Sequence, residues 1–121
     1  MESKKTLVLG ASEKPERYSN RAILNLLSKG HEVFAVGNRE SMVKDVMISK
    51  QPIAVQNIDT VTVYLNETNQ KPYYNYILSL KPKRIIFNPG AENEELENLA
   101  SENGISVIEA CTLVMLNTGQ Y

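Results

Sequence analysis

Thr6 to Gly10 (TLVLG) is an almost continuous apolar run that closes on a glycine. A strand with no alternating polar positions must be covered on both faces, as happens in a parallel sheet flanked by helices. The next elements agree. Between Ser19 and Lys29 the apolar residues Ala22, Ile23, Leu26 and Leu27 recur at helical spacing, with Ser19 or Asn20 as candidate N-cap and Gly30 as terminator. Glu32 to Val36 (EVFAV) then reads as a second strand, and a right-handed crossover through the helix makes it parallel to the first.

The alternation continues. Val61 to Leu65 (VTVYL) is β-branched and aromatic, a third principal strand. A helix follows Pro72, with Tyr73, Tyr76, Ile77 and Leu80 on one face, and Pro82 marks its end. Core packing is expected of Tyr73 and Tyr76. Arg84 to Phe87 supplies a fourth strand, and Asn93 to Asn103 a helix with Leu96, Leu99 and Ala100 inward and Gly104 as its stop. Ile105 to Ile108 is a fifth strand, and Cys111 to Leu116 a final short helix. Between 40 and 60, Pro52 interrupts short apolar patches; the reading there is a short helix near Met42 to Met47 and a brief strand near Ile53. The expected class is α/β, a three-layer, doubly wound parallel sheet of about five strands. At 121 residues, 42% of them hydrophobic, one domain over 1–121 is the expectation.

Charge excludes some partners. Lysine and arginine number 13 against 14 acids, so nothing in the balance draws the chain to a nucleic-acid backbone or an anionic membrane. No apolar run approaches the ~20 residues of a membrane span, and MESKKTLVLG is too short in its apolar part for a signal peptide. A cytoplasmic location follows as the expectation, in keeping with a single cysteine, Cys111, that has no internal partner.

In open parallel sheets, ligands sit at the carboxyl ends of the strands, and two such loops carry suitable chemistry. The first is GASEKPERYSNRA, 10 to 22. Gly10 permits a tight turn, Ser12 offers a hydroxyl, and backbone N–H groups entering the helix near Ser19 can face a phosphate. Lys14, Arg17 and Arg21 add positive charge. The three-glycine fingerprint of NAD-binding units is absent, and an ordinary surface connection is the plain alternative. The second loop reads Val36-Gly37-Asn38-Arg39, where NAD-binding domains place an acid on the ribose hydroxyls. An arginine there attracts a phosphorylated ribose through charge-assisted bonds, so a 2′- or 3′-phosphorylated adenosine is favoured over NAD. A one-residue shift would bring Glu40 to that place instead, and Arg39 as a solvated loop charge is the other alternative.

Two stretches, LVLGASEKPERYSNRAILNLLSKGHEVFAVGNR at 7 to 39 and FNPGAENEELENLASENGISVIEAC at 87 to 111, resemble one family. It comprises the short, stand-alone CoA-binding proteins with a Rossmann-like fold, related to the CoA-binding domain of succinyl-CoA synthetase alpha subunits. The resemblance implies that Gly10, Ala11 and Ser12 take the pyrophosphate, that Arg17 and Ser19 line the loop, and that Asn38 and Arg39 meet the adenosine 3′-phosphate. Asn88, Pro89 and Gly90 would close the site near the pantetheine arm. This chain departs from the family where members often have Val-Asn-Pro for Val36-Gly37-Asn38, and Asp-Arg-Cys for Glu109-Ala110-Cys111.

No catalytic or metal-ligating set is evident. His31 falls at the amino ends of the strands, away from the expected site, where a surface or packing role is favoured. Cys111 follows the last strand; its thiol is read as packed, with contact to a coenzyme thiol as the alternative. Glu92, Glu94 and Glu95 are explained by the positive end of their helix. The leading expectation is a binding module for CoA or acyl-CoA, its partner a small nucleotide rather than nucleic acid or membrane, with a homo-oligomer left open. The alternatives are an NADP-binding oxidoreductase fragment and a protein-interaction domain that has lost its nucleotide.

Overall fold

The computed structural model of the protein describes residues 3–121. β1 (Thr6–Ala11), α1 (Tyr18–Ser28) and β2 (Val33–Gly37) form the opening crossover unit. β3 (Ser41–Val43) and β4 (Val46–Ser49) follow, then β5 (Thr60–Val63), α2 (Glu67–Gln70), a 3-10 turn at Lys71–Tyr73 and α3 (Tyr74–Leu80). β6 (Arg84–Phe87), α4 (Glu94–Glu102), β7 (Ser106–Glu109) and α5 (Thr112–Asn117) come last. The strands make a seven-stranded sheet in the order β3-β4-β2-β1-β5-β6-β7. Every neighbouring pair is parallel except β3 with β4.

Burial on both faces explains the apolar runs. Leu7, Leu9, Val61, Val63, Ile85 and Phe87 face one layer, packed with Ile77 of α3 and Leu96 and Ala100 of α4. Val8, Ala35, Val43, Val46 and Ile48 face the other, with Ile23 and Leu26 of α1 and Leu116 of α5. Each such side chain, fully buried, contributes about 1.5–3 kcal/mol, so both faces of β1 stabilise the fold. The expected three-layer α/β class is the one observed.

Residues 40 to 60 depart from expectation. In place of a helix near Met42 to Met47 there is an antiparallel hairpin, which raises the strand count from about five to seven. Met42 and Met47 are cross-strand partners on the outer face, while Val43, Val46 and Ile48 point into the core. The turn at Lys44, which holds a left-handed φ of 53°, breaks the two-residue period and disguises it in the sequence. Glu40 Oε2 accepts the Lys50 N–H at 2.6 Å and ties the two ends of the hairpin together. No strand forms at Ile53; its carbonyl instead accepts the Tyr76 hydroxyl at 2.7 Å, and Ile53 and Val55 pack against the core as irregular chain. Tyr73, Tyr74 and Tyr76 all pack partly against that core.

The start of α1 is also earlier than expected. Arg17 is its N-cap, without a side-chain bond, and Ser19 and Asn20 are buried in the first turn. Asn20 Nδ2 reaches back to the Ser12 carbonyl at 3.1 Å, so its side chain serves the preceding loop rather than the helix end.

The inner face of β5 and β6 beneath α5 is polar. Asn88 Nδ2 donates to Thr62 Oγ1 at 2.7 Å and to the Val63 carbonyl at 2.9 Å, while its Oδ1 accepts the Thr112 N–H at 2.8 Å. Toward the amino ends of the strands, Arg84 Nε donates to Thr60 Oγ1 at 2.8 Å, and its guanidinium lies 4.4 Å over the Tyr121 ring. His31 packs against the same ring, and its Nδ1 accepts the Lys4 N–H at 2.9 Å.

That bond needs a neutral imidazole. Burial pushes the His31 pKa below its ordinary 6.5, with Lys4 and Arg84 acting in the same sense and Asp59 opposing. The unfolded chain therefore takes up this proton at a higher pH than the folded protein. The stabilisation is complete above the unfolded value and is lost as pH falls from there through the lowered folded value. Denaturant midpoints are expected to drop between about pH 7 and pH 5, and His31→Asn, which keeps an acceptor, should flatten that drop. An equally steep profile in the variant would assign the acid sensitivity elsewhere.

Candidate functional site

The chain leaves β1 toward β2 on one side and later returns to β5 on the other, so the strand order reverses beside β1. A crevice is expected at the carboxyl ends of the strands at such a point. A cleft of about 350 Å³ lies there, lined by Gly10 and Ala11 of β1, Asn38 and Arg39 after β2, Tyr64 and Leu65 after β5, and Pro89 after β6.

Its floor depends on two glycines. Gly10 adopts φ +91°, and the pairing of β1 with β2 shifts register between Leu9 and Ala11. This bulge sets Ala11 opposite Gly37, so close that a side chain on Gly37 would collide with the Ala11 carbonyl oxygen. The sequence Val36-Gly37-Asn38 thus has a steric cause: the strand end must be bare for Asn38 and Arg39 to turn over the cleft.

The loop after β1 is held by its own polar groups. Ser12 Oγ accepts the Lys14 N–H at 3.1 Å, and the Lys14 carbonyl accepts the Arg17 N–H at the same distance. With Asn20 bound to the Ser12 carbonyl, the loop folds back on the start of α1 and brings Arg17, Tyr18 and Ser19 to the cleft wall. A helix N-terminus with a hydroxyl and two cations beside it favours an anion.

Electrostatics at the mouth are mixed. Lys14, Arg17 and Arg39 line the cleft, and so does Glu13, whose Oε1 is 3.7 Å from Arg39 Nη1. The Glu13 carboxyl is held below its usual range, chiefly by its own backbone N–H, against an opposing desolvation and with Ser41, Arg39 and Lys14 assisting. Tyr18 is exposed at the rim, with the Arg21 guanidinium 5.4 Å from its ring. Tyr64 has its hydroxyl buried and, among the described residues, without a hydrogen-bond partner, and burial pushes its pKa far up. Leu65 is fixed from behind: Gln70 Nε2 donates to the Leu65 carbonyl at 2.8 Å and to the Ala91 carbonyl at 2.7 Å. Asn93 Nδ2 in turn donates to Gln70 Oε1 at 2.9 Å.

Of the residues singled out from sequence, the cleft gathers Gly10, Ala11, Ser12, Lys14, Arg17, Ser19, Asn38, Arg39 and Pro89. Asn88 lies just beneath, buried, with its side chain engaged by Thr62, Val63 and Thr112. Gly90 is exposed outside the lining with φ +93°, its N–H bound to Glu92. Cys111 caps the start of α5 through its backbone and does not line the cleft. Sequence reasoning missed Glu13, Tyr18, Tyr64 and Leu65. Tyr64 and Leu65 end the VTVYL run, so the strand-end rule that marked Asn38 would have found them had it been applied to every strand.

Comparison with known proteins gives a consistent result. Residues 4–117 match the family described as CoA binding domain. A crystal structure of an uncharacterized protein is 50% identical and covers 100% of both chains, with a TM-score of 0.97. A hypothetical protein from Pyrococcus horikoshii OT3 shares the fold at 23% identity and TM-score 0.87, over 96% of this chain and 83% of its own. The dinucleotide forming acetyl-coenzyme A synthetase 1 of Ca. Korarchaeum cryptofilum, solved with phosphate and ADP, also shares the fold. It is 18% identical, with a TM-score of 0.70 over 89% of this chain and 26% of that one. No curated protein matches. Among the described residues no helix is long and apolar enough to cross a membrane. With the family matched over residues 4–117, almost the whole chain, the protein belongs to the CoA binding domain family.

Proposed function

We propose that the cleft binds CoA or an acyl-CoA as a non-catalytic module. The pyrophosphate sits at the Gly10–Ser12 turn and the start of α1, the phosphorylated adenosine meets Asn38 and Arg39, and the pantetheine arm leaves past Leu65 and Pro89. The observation that carries this reading is that Arg39 and the N-terminus of α1 open into one cleft. A guanidinium at the end of β2, where NAD domains carry an acid, favours a ribose bearing phosphate. Gly10 lines the cleft with φ +91°, the turn that brings Ala11 and Ser12 to its wall, which supports placing the pyrophosphate there.

Calorimetric titration of CoA and dephospho-CoA tests it. CoA is expected to bind about tenfold more tightly, and Arg39→Ala to abolish most of that difference with little effect on dephospho-CoA. Equal affinities in the unaltered protein would remove Arg39 from the reading. NADPH binding without CoA binding would transfer the site to a different phosphorylated dinucleotide.

A further inference from the structure

Arg39 is the cation on which ribose-phosphate recognition rests, yet it already faces an acid. Glu13 stands on the same loop that supplies Ser12 and Lys14, and its carboxylate lies 3.7 Å from the Arg39 guanidinium within the cleft. The two side chains are unequally placed: Glu13 is 34% exposed and Arg39 72%. The acid is the deeper, better held partner, and the arginine reaches down to it from an exposed loop whose backbone is tied by the Ser41 hydroxyl at 3.3 Å. Among the described residues this is the ion pair Arg39 makes.

We propose that Glu13 is a resident competitor for Arg39, a built-in anion that the ligand's ribose phosphate must displace. The inference rests on the CoA reading of the cleft and adds to it a control on selectivity. A phosphate that takes the guanidinium must either replace the carboxylate or lie beside it, and like charges at such separations repel. A ligand without that phosphate leaves the Glu13–Arg39 pair intact. Glu13 therefore weakens ligands that use Arg39 more than those that do not, and narrows the gap between CoA and dephospho-CoA below what Arg39 alone would give. It also leaves a counter-ion ready to recapture Arg39, which speeds release of the phosphorylated ligand.

Glu13→Gln removes the charge and keeps the side-chain length. The measured quantity is the affinity ratio of CoA to dephospho-CoA, because any general effect of the lost charge on the shared pyrophosphate cancels in it. Glu13→Gln is expected to raise that ratio about twofold to fivefold, the upper part of the range of an exposed ion pair, and CoA should dissociate correspondingly more slowly in stopped flow. In an Arg39→Ala background the same substitution should leave the ratio unchanged. A ratio unmoved by Glu13→Gln in a protein that still prefers CoA overturns the competitor role and leaves the CoA reading standing. A rise of equal size without Arg39 also overturns it. Absence of any CoA preference in the unaltered protein defeats both.

Discussion

Asn88→Ala is expected to lower the thermal midpoint by on the order of 10 °C, the largest effect of any single substitution near the cleft. The side chain makes three hydrogen bonds in a buried setting, to Thr62 Oγ1, the Val63 carbonyl and the Thr112 N–H. Alanine orphans the buried Thr112 N–H, while the Val63 carbonyl keeps the residue-88 main-chain N–H at 3.3 Å and Thr62 Oγ1 keeps Thr112; with about 1–3 kcal/mol for the orphaned group and the loss of the other two bonds, a total of about 3 kcal/mol is expected. Thr62 and Thr112 also share a bond at 2.8 Å, and they can only partly compensate by turning toward each other. The consequence reaches beyond stability, because Asn88 fixes the start of α5 against the end of β6, immediately before Pro89 in the cleft wall. A differential scanning measurement showing a shift below about 2 °C would mean that these bonds are replaced by solvent.

Gly37→Ala is expected to cost about 2–3 kcal/mol and to weaken CoA binding together with stability. A methyl group at this position would overlap the Ala11 carbonyl oxygen and approach Ile48 Cγ2 at 3.0 Å. The first obstacle is backbone and cannot rotate away. Relief requires the ends of β1 and β2 to separate, and those ends carry Ala11 and Asn38 into the cleft. Gly104→Ala is the matched control. Gly104 has φ +76° and open space around its Cα, so alanine there incurs backbone strain of about 1 kcal/mol while CoA affinity holds. Unfolding curves in urea with parallel titrations separate the two cases. Equal losses of affinity in both variants would attribute the effect to general destabilisation rather than to the floor of the cleft.

The contrast between these positions shows what the sequence exposes and what it conceals. The apolar runs of β1, β2, β5 and β6 were legible because burial on both faces leaves no ambiguity about where their residues go. Arg39 was legible because its type contradicts the acid expected at that strand end. Gly37 was visible only as a departure from the family, since its requirement comes from a bulge in a different strand. The hairpin at Ser41–Ser49 is hidden behind a helix-like pattern near Met42 to Met47 because its turn at Lys44 uses a backbone conformation that lysine gives no sign of. Nothing in the sequence sets Glu13 apart from other loop acids; its pairing with Arg39 follows from the folding back of the loop onto α1, which is held by Asn20 rather than by any motif.

The hairpin bears on binding through the freedom it takes away. Only Asn38, Arg39 and Glu40 separate the end of β2 from the start of β3, and the Glu40 carboxylate clamps them to Lys50 at the far end of β4. Fixing a backbone residue costs about 1–2 kcal/mol in entropy, and for this segment that cost falls on folding instead of on ligand capture. On the proposed reading, Arg39 thus meets the ribose phosphate with a settled main chain, and only its side chain has to change partner. A relative with a slack loop in place of the hairpin could carry the same arginine and hold the same ligand more weakly.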